Sequence, residues 1–162
     1  MNVKVRAVIL HDGKLVVSRE RRQGVEHVLL PGGRVQTGES IHQALVREIA
    51  EETGLDVIPK RLLYVAEVVG SYGVHDVNLV WLAEPRDAEL AIPPDALVAL
   101  DSPDAQSILP PIIDQIAADA ASGWANEPRW LGNVRRPPPS RAPVRERSAQ
   151  PGSDQEQRHE RE

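Results

Sequence analysis

Glu48, Glu51 and Glu52 are three carboxylates close enough in sequence to act together, and Arg47 stands beside them. On a helix, residues three and four apart are neighbours, so Glu48 faces both Glu51 and Glu52. Each such like-charge pair costs about 0.2–0.5 kcal/mol. Acids in a last helical turn also oppose the helix dipole by roughly 0.3–1 kcal/mol each. Arg47 relieves Glu51 at i,i+4, but with the cation first, which is the weaker order. A bound cation is the stronger remedy. Clustered carboxylates without Cys or His suit a hard ion such as Mg²⁺, which takes oxygen ligands and keeps waters for a phosphate-bearing substrate. A chain that breaks local rules in one place most often does so at a functional site.

The element that must carry these residues is well delimited. Ser40 is a good N-cap and Gln43 sits at the third helical position, a capping box. Gly54 follows the last helical residue, where a C-cap glycine belongs. At the helical period Ile41, Leu45, Val46 and Ile49 form one apolar arc. Glu48 and Glu52 fall on its edge, Glu51 lies on the other side of Glu48, and Ala44 leaves space one turn before Glu48. Upstream, the short strand HVLL (27–30) runs into Pro31-Gly32-Gly33. Glycines let backbone approach a ligand closely, and free carbonyls can bind a hard cation.

The rest of the chain supplies a scaffold. Val3, Val5, Ala7 and Ile9 alternate with polar neighbours and predict a strand. A turn at 11–13 leads into a returning strand, KLVVSRER (14–21). Residues 61–69 and 77–84 predict two further strands, and PRWLGN (128–133) a last short one. Ile112, Ile113, Ile116, Ala117 and Ala120 have helical spacing, beginning at Pro110-Pro111 and ending at Gly123. Residues 85–103 read as loops. Strands and helices do not alternate regularly, so an α+β fold with a mixed sheet between helices is expected.

These elements form one domain over residues 1–134. Residues 135–162 hold five prolines and only three apolar side chains, too few to offset the entropy of ordering, and read as a disordered Pro/Arg-rich tail. The 162 residues include no cysteine, which excludes a disulfide framework or a thiolate metal site. No signal-peptide pattern and no bilayer-length apolar run is present, so a cytoplasmic protein without membrane partners is expected. A net charge of -5 argues against general nucleic-acid binding. A homodimer is left open.

Taken together, Gly33, Glu39, Arg47-Glu48, Ile49, Glu51-Glu52, Gly54 and Leu55 have the spacing of a complete Nudix box. The chain therefore resembles the Nudix hydrolase superfamily. The resemblance implies a Nudix-like α/β/α sandwich with a mixed central sheet. It also implies hydrolysis of a nucleoside diphosphate linked to another moiety, of the modified nucleoside triphosphate or dinucleoside polyphosphate type, with Mg²⁺ or Mn²⁺. By match to the box, Glu48, Glu51 and Glu52 are the metal ligands and the Gly33 carbonyl adds another. Arg47 orients a glutamate, Glu39 supports the loop–helix junction, and Glu48 or Glu52 serves as general base. Outside the box, Arg19 shares a strand face with Leu15 and Val17 and could reach a phosphate, as could Arg34. Tyr72, 17 residues after Leu55, resembles a marker of the dinucleoside-polyphosphate branch. The rival reading is a non-catalytic nucleotide-binding or regulatory module of the same fold. Lost box carboxylates would mark it, and none is lost.

Overall fold

The computed structural model describes residues 1–70, 74–87, 89 and 91–135. Its centre is a four-stranded sheet in the order β1 (Asn2–Val8), β7 (His75–Pro85), β6 (Val57–Val69), β9 (Arg129–Asn133). β1 runs parallel to β7, β6 antiparallel to β7, and β9 parallel to β6, which makes the sheet mixed as expected. Two smaller sheets flank it: β2 (Leu10–His11), β3 (Lys14–Val16) and β8 (Leu97–Ala99) form one, and β4 (Ser18–Arg22) with β5 (Val25–Leu29) the other. The β2–β3 turn puts Asp12 and Gly13 at φ 48 and 75, the left-handed pair that a two-residue hairpin needs.

Helices cover both faces of the central sheet. α1 (Ile41–Thr53) buries Ala44, Leu45 and Ile49 against Val5, Ala7, Ile9, Val57 and Ala83. α2 (Ile113–Ser122) buries Ile113 and Ile116 against Val8, Tyr64 and Val80 on the other side. The chain is thus an α+β, α/β/α sandwich. Each fully buried aliphatic side chain contributes roughly 1.5–3 kcal/mol. α2 is held further by a buried polar cluster. Asp119 accepts from Tyr64 Oη at 2.5 Å and from Arg129 and Gln115, tying helix, sheet and β9 together.

Three sequence expectations change. KLVVSRER is not one strand: Lys14–Val16 pairs with β2 and β8, whereas Ser18–Arg22 pairs with β5, so the chain leaves one small sheet and enters another. β6 starts at Val57, four residues before the expected 61. The loop reading of 85–103 hides β8 and two 3-10 turns, Pro94–Ala96 and Pro103–Ser107. The proposed tail lies almost wholly outside the described residues.

Candidate active site

The free edge of β1 positions the glycine segment. Val5 donates to Gly33 O and Ala7 to Pro31 O, both at 2.9 Å, and Val35 donates to Val3 O at 3.0 Å. Residues 31–35 are thereby laid along β1 like a further strand. The two glycines are needed for different reasons. Gly32 has φ 134, and a Cβ there would stand 2.2 Å from Val5 O. At Gly33 a Cβ would meet the Glu48 carboxylate, with Oε2 at 2.3 Å. The first requirement is backbone packing; the second is room for the Glu48 side chain.

α1 brings the glutamates to this segment. Its capping box is complete: Gln43 N–H donates to Ser40 Oγ at 3.2 Å and Ser40 N–H to Gln43 Oε1 at 2.8 Å. Gly54 closes it at φ 75, donating to Ala50 O. No basic residue lies in the last turn. Arg47 supplies the local positive charge from one turn earlier. Its Nη1 donates to Glu48 at 2.8 Å and lies 3.5 Å from Glu51, while Nε and Nη2 grip Glu39 at 3.0 and 2.7 Å. Glu39 in turn accepts from Gln36 N–H at 2.7 Å. The Arg47 hydrogen bonds, then that of Gln36, hold the Glu39 carboxyl below the usual carboxylate range. Arg47 therefore anchors both loop and helix.

The three box glutamates have distinct settings. Glu48 is the most covered, its side chain 15% exposed, while that of Glu51 is 62% exposed. Glu52 is exposed as a residue, yet its Oε2 accepts the Gly32 N–H at 2.9 Å. Burial of that carboxylate tip pushes its pKa up, against the opposing pull of the Gly32 hydrogen bond. Glu48 and Glu51 turn toward Arg47 while Glu52 turns toward Gly32. As placed, no three of His, Cys, Asp or Glu among the described residues are close enough to hold a metal ion. The donor set still fits a hard cation: it is all oxygen, and the Gly33 carbonyl keeps a second lone pair beside its bond to Val5.

Sequence and shape agree with these contacts. Residues 1–114 match the NUDIX domain family. The chain belongs to that family. An ADP-ribose pyrophosphatase of Methanocaldococcus jannaschii is 33% identical over 102 residues, 58% of this chain and 57% of that protein. The human protein 8-oxo-dGDP phosphatase NUDT18 is 39% identical over 74 residues, 46% of this chain and 22% of that protein. The chain therefore spans little more than half of the first relative and under a quarter of the second. A NUDIX hydrolase from Nitrosomonas europaea has the same fold, with a TM-score of 0.61 at 27% identity over 76% of this chain and 90% of that one.

Around the NUDIX glutamates the structure sorts the remaining expectations. Arg34 is exposed, and its carbonyl accepts from Arg47 Nη2 at 3.3 Å. Arg19 is not brought to the glutamates. Its guanidinium donates to Asp95 O at 2.9 Å and to Glu26 at 3.1 Å. Strand alternation sends Ser18, Glu20 and Arg22 to the opposite face. Tyr72 lies outside the described residues. His42 packs edge-on to Trp81 at 4.6 Å, a structural contact.

Three neighbours of the glutamates went unread. Ser18, 6% exposed, faces the Glu52 carboxylate, though its hydroxyl makes no hydrogen bond of normal geometry. Glu20 pairs with Arg22 at 2.5 Å. Arg6, 8% exposed, donates to Leu30 O and Gly32 O. Counting in twos from Ser18 rather than Arg19 would have found the first two. Arg6 had no signal, because alternation places a polar residue of β1 away from the core. Beyond Arg6 opens a cavity of about 220 Å³, lined by Lys4, Arg22, Val68, Asp76 and Pro110 among others. Burial would raise the Asp76 carboxyl, but bonds from Lys4 at 2.8 Å and Asn2 at 2.9 Å hold it below its ordinary value.

Proposed function

We propose that this NUDIX chain is a pyrophosphohydrolase that cleaves a nucleoside diphosphate linked to another moiety and depends on a divalent cation, Mg²⁺ or Mn²⁺. The carrying observation is that two box carboxylates meet the glycine segment: Glu48 lies against the Gly33 Cα position and Glu52 accepts the Gly32 N–H. Glu48, Glu51 and Glu52 would hold the ion, with the Gly33 carbonyl as an added oxygen. Bound there, a divalent cation supplies charge neutralisation for the diphosphate and acidifies water. The protein supplies the rest. Arg47 fixes Glu48 and Glu39, and the Gly32 N–H fixes Glu52. Glu52, whose tip is desolvated beside Ser18, is suited to take the proton of the attacking water, with Glu48 the other candidate. Arg34 sits at the mouth of the segment, where it could meet a phosphate.

The two curated relatives carry different substrate names, so what supports the chemistry does not select the substrate. Modified nucleoside triphosphates and dinucleoside polyphosphates are the first compounds to assay, with ADP-ribose and nucleoside diphosphates beside them. The decisive experiment is phosphate or pyrophosphate release from this panel, with Mg²⁺, with chelator, and with Glu52→Gln. Turnover that needs the cation and falls by at least 100-fold in the variant is expected. A panel without turnover, or an unaffected variant, rules the reading out. The rival, a non-catalytic module, loses support because every box carboxylate is retained.

A further inference from the structure

Arg6 is a charged side chain carried at 8% exposure on the strand that supports the glycine segment. A single nitrogen, Nη1, donates to Leu30 O at 2.9 Å and to Gly32 O at 2.6 Å. Gly32 is therefore held at both of its main-chain groups: its carbonyl by Arg6, and its N–H by the Glu52 carboxylate. Arg6 Nε is buried without a hydrogen-bond partner. Burying a guanidinium with an unused donor is costly, and a residue needed only to fill space would be better apolar. Burial draws the Arg6 pKa down, while facing Glu52, Glu20 and Glu48 sustain its charge. Its surroundings are thus carbonyls of the segment on one side and the acidic cluster on the other.

We propose that Arg6 is a positioning residue for the cation site: through Gly32, which it holds at the carbonyl, it sets where the Glu52 carboxylate stands. This rests on the reading that the box glutamates hold a divalent ion. Positioning and simple electrostatics predict opposite signs. A cation acting by charge alone repels Mn²⁺, so removing it tightens binding. A cation that places a ligand loosens binding when it is lost, typically by about 10–100-fold for residues one step behind the ligands.

The test is Mn²⁺ binding by the full chain, read from the free Mn²⁺ resonance signal, for wild type, Arg6→Met and Arg6→Lys, with circular dichroism to establish folding. Arg6→Met removes the charge and the donors but keeps length. Positioning predicts binding weaker by about 10–100-fold; an affinity equal to or above wild type overturns it. Should Arg6→Met fail to fold, Arg6→Lys decides. It keeps the charge but replaces the guanidinium with a compact ammonium. Positioning predicts weaker Mn²⁺ binding there too, and wild-type affinity overturns it. A wild type that binds no Mn²⁺ sinks the metal reading itself and this inference with it. Equal affinities across the three proteins sink only the role of Arg6.

Discussion

Gly33→Ala separates site geometry from fold. The new Cβ would stand 2.3 Å from Glu48 Oε2, 2.4 Å from Cδ and 2.6 Å from Oε1. Relaxed carbon contacts lie near 3.5–4.0 Å, so the carboxylate must retreat by about 1 Å. The three nearest atoms all belong to that carboxylate, and Gly33 is not among the left-handed glycines. On the stability side, disturbing the Arg47–Glu48 bond costs at most about 1.5–3 kcal/mol. Part of that returns as about 0.4–1 kcal/mol from a stiffer unfolded chain. A net loss near 1 kcal/mol shifts Tm by about 2–4 °C at this size. On the activity side, a misplacement of about 1 Å costs on the order of 100-fold, or about 2.7 kcal/mol in the barrier. The assay is kcat/KM on the best substrate of the panel, beside a thermal melt. Gly32→Ala is the contrast: its Cβ would strike Val5 O in the backbone at 2.2 Å and its φ of 134 disfavours any side chain, so the fold itself should fail. If Gly33→Ala retains activity within threefold, Glu48 does not work from the position described. If its Tm falls by more than about 10 °C, the glycine serves the backbone.

Arg47→Lys should lower turnover about 10-fold or more with a smaller loss in melting temperature, because an ammonium cannot reproduce the two-nitrogen grip on Glu39; steady-state kinetics and a melt check this together. Asp119 is held below the usual carboxylate range: burial would raise it, but bonds from Tyr64, Arg129 and Gln115 outweigh that. Its folded pKa is depressed, so its contribution is present above the unfolded value, near 3.9, and is lost as pH falls through the lower folded one. Acid unfolding curves should therefore flatten below about pH 4 in Asp119→Asn relative to wild type. A chain ending at Arg135 should keep both turnover and melting temperature, whereas one ending at Asp114 should not fold, since it lacks Ile116, Asp119 and β9. Chelation should leave the protein folded, with Mg²⁺ then raising Tm; a saturating ion at 100 times its Kd adds about 2.7 kcal/mol.

Much of the scaffold was legible because its signals are local. Ser40, Gln43 and Gly54 bounded α1 by hydrogen bonds that close within a few residues. Ile113 and Ile116 marked α2 by period, and Gly123 its end. What stayed hidden is set by long-range pairing. β8 is three residues long and exists because Val98 pairs with Leu15. The break at Val17 arises because Ser18 pairs with Leu29 of β5 and not with β8. The site divides the same way. The carboxylates and their arginine share one helix and were visible as a spacing. Arg6, Ser18 and Glu20 come from other strands and converge only in three dimensions. The partners of Arg19, Asp95 O and Glu26, could not be read from its place on the strand, because Asp95 lies far away in sequence.

The crowded end of α1 is tolerable before any ion binds, and the contacts show how. Two like-charge pairs and the helix dipole oppose it by up to about 1 kcal/mol per interaction. Against this, Arg47 makes charged hydrogen bonds to Glu48 and Glu39, and the Gly32 N–H satisfies Glu52. The same contacts hold Glu48 and Glu51 toward Arg47 and Glu52 toward Gly32. An arriving cation would need to draw Glu51 and Glu48 from a shared nitrogen, while the grip of Arg47 on Glu39 can persist. On the proposed reading, that division would let one arginine stabilise the helix end and still hold the loop in place once its other partners turned to the ion.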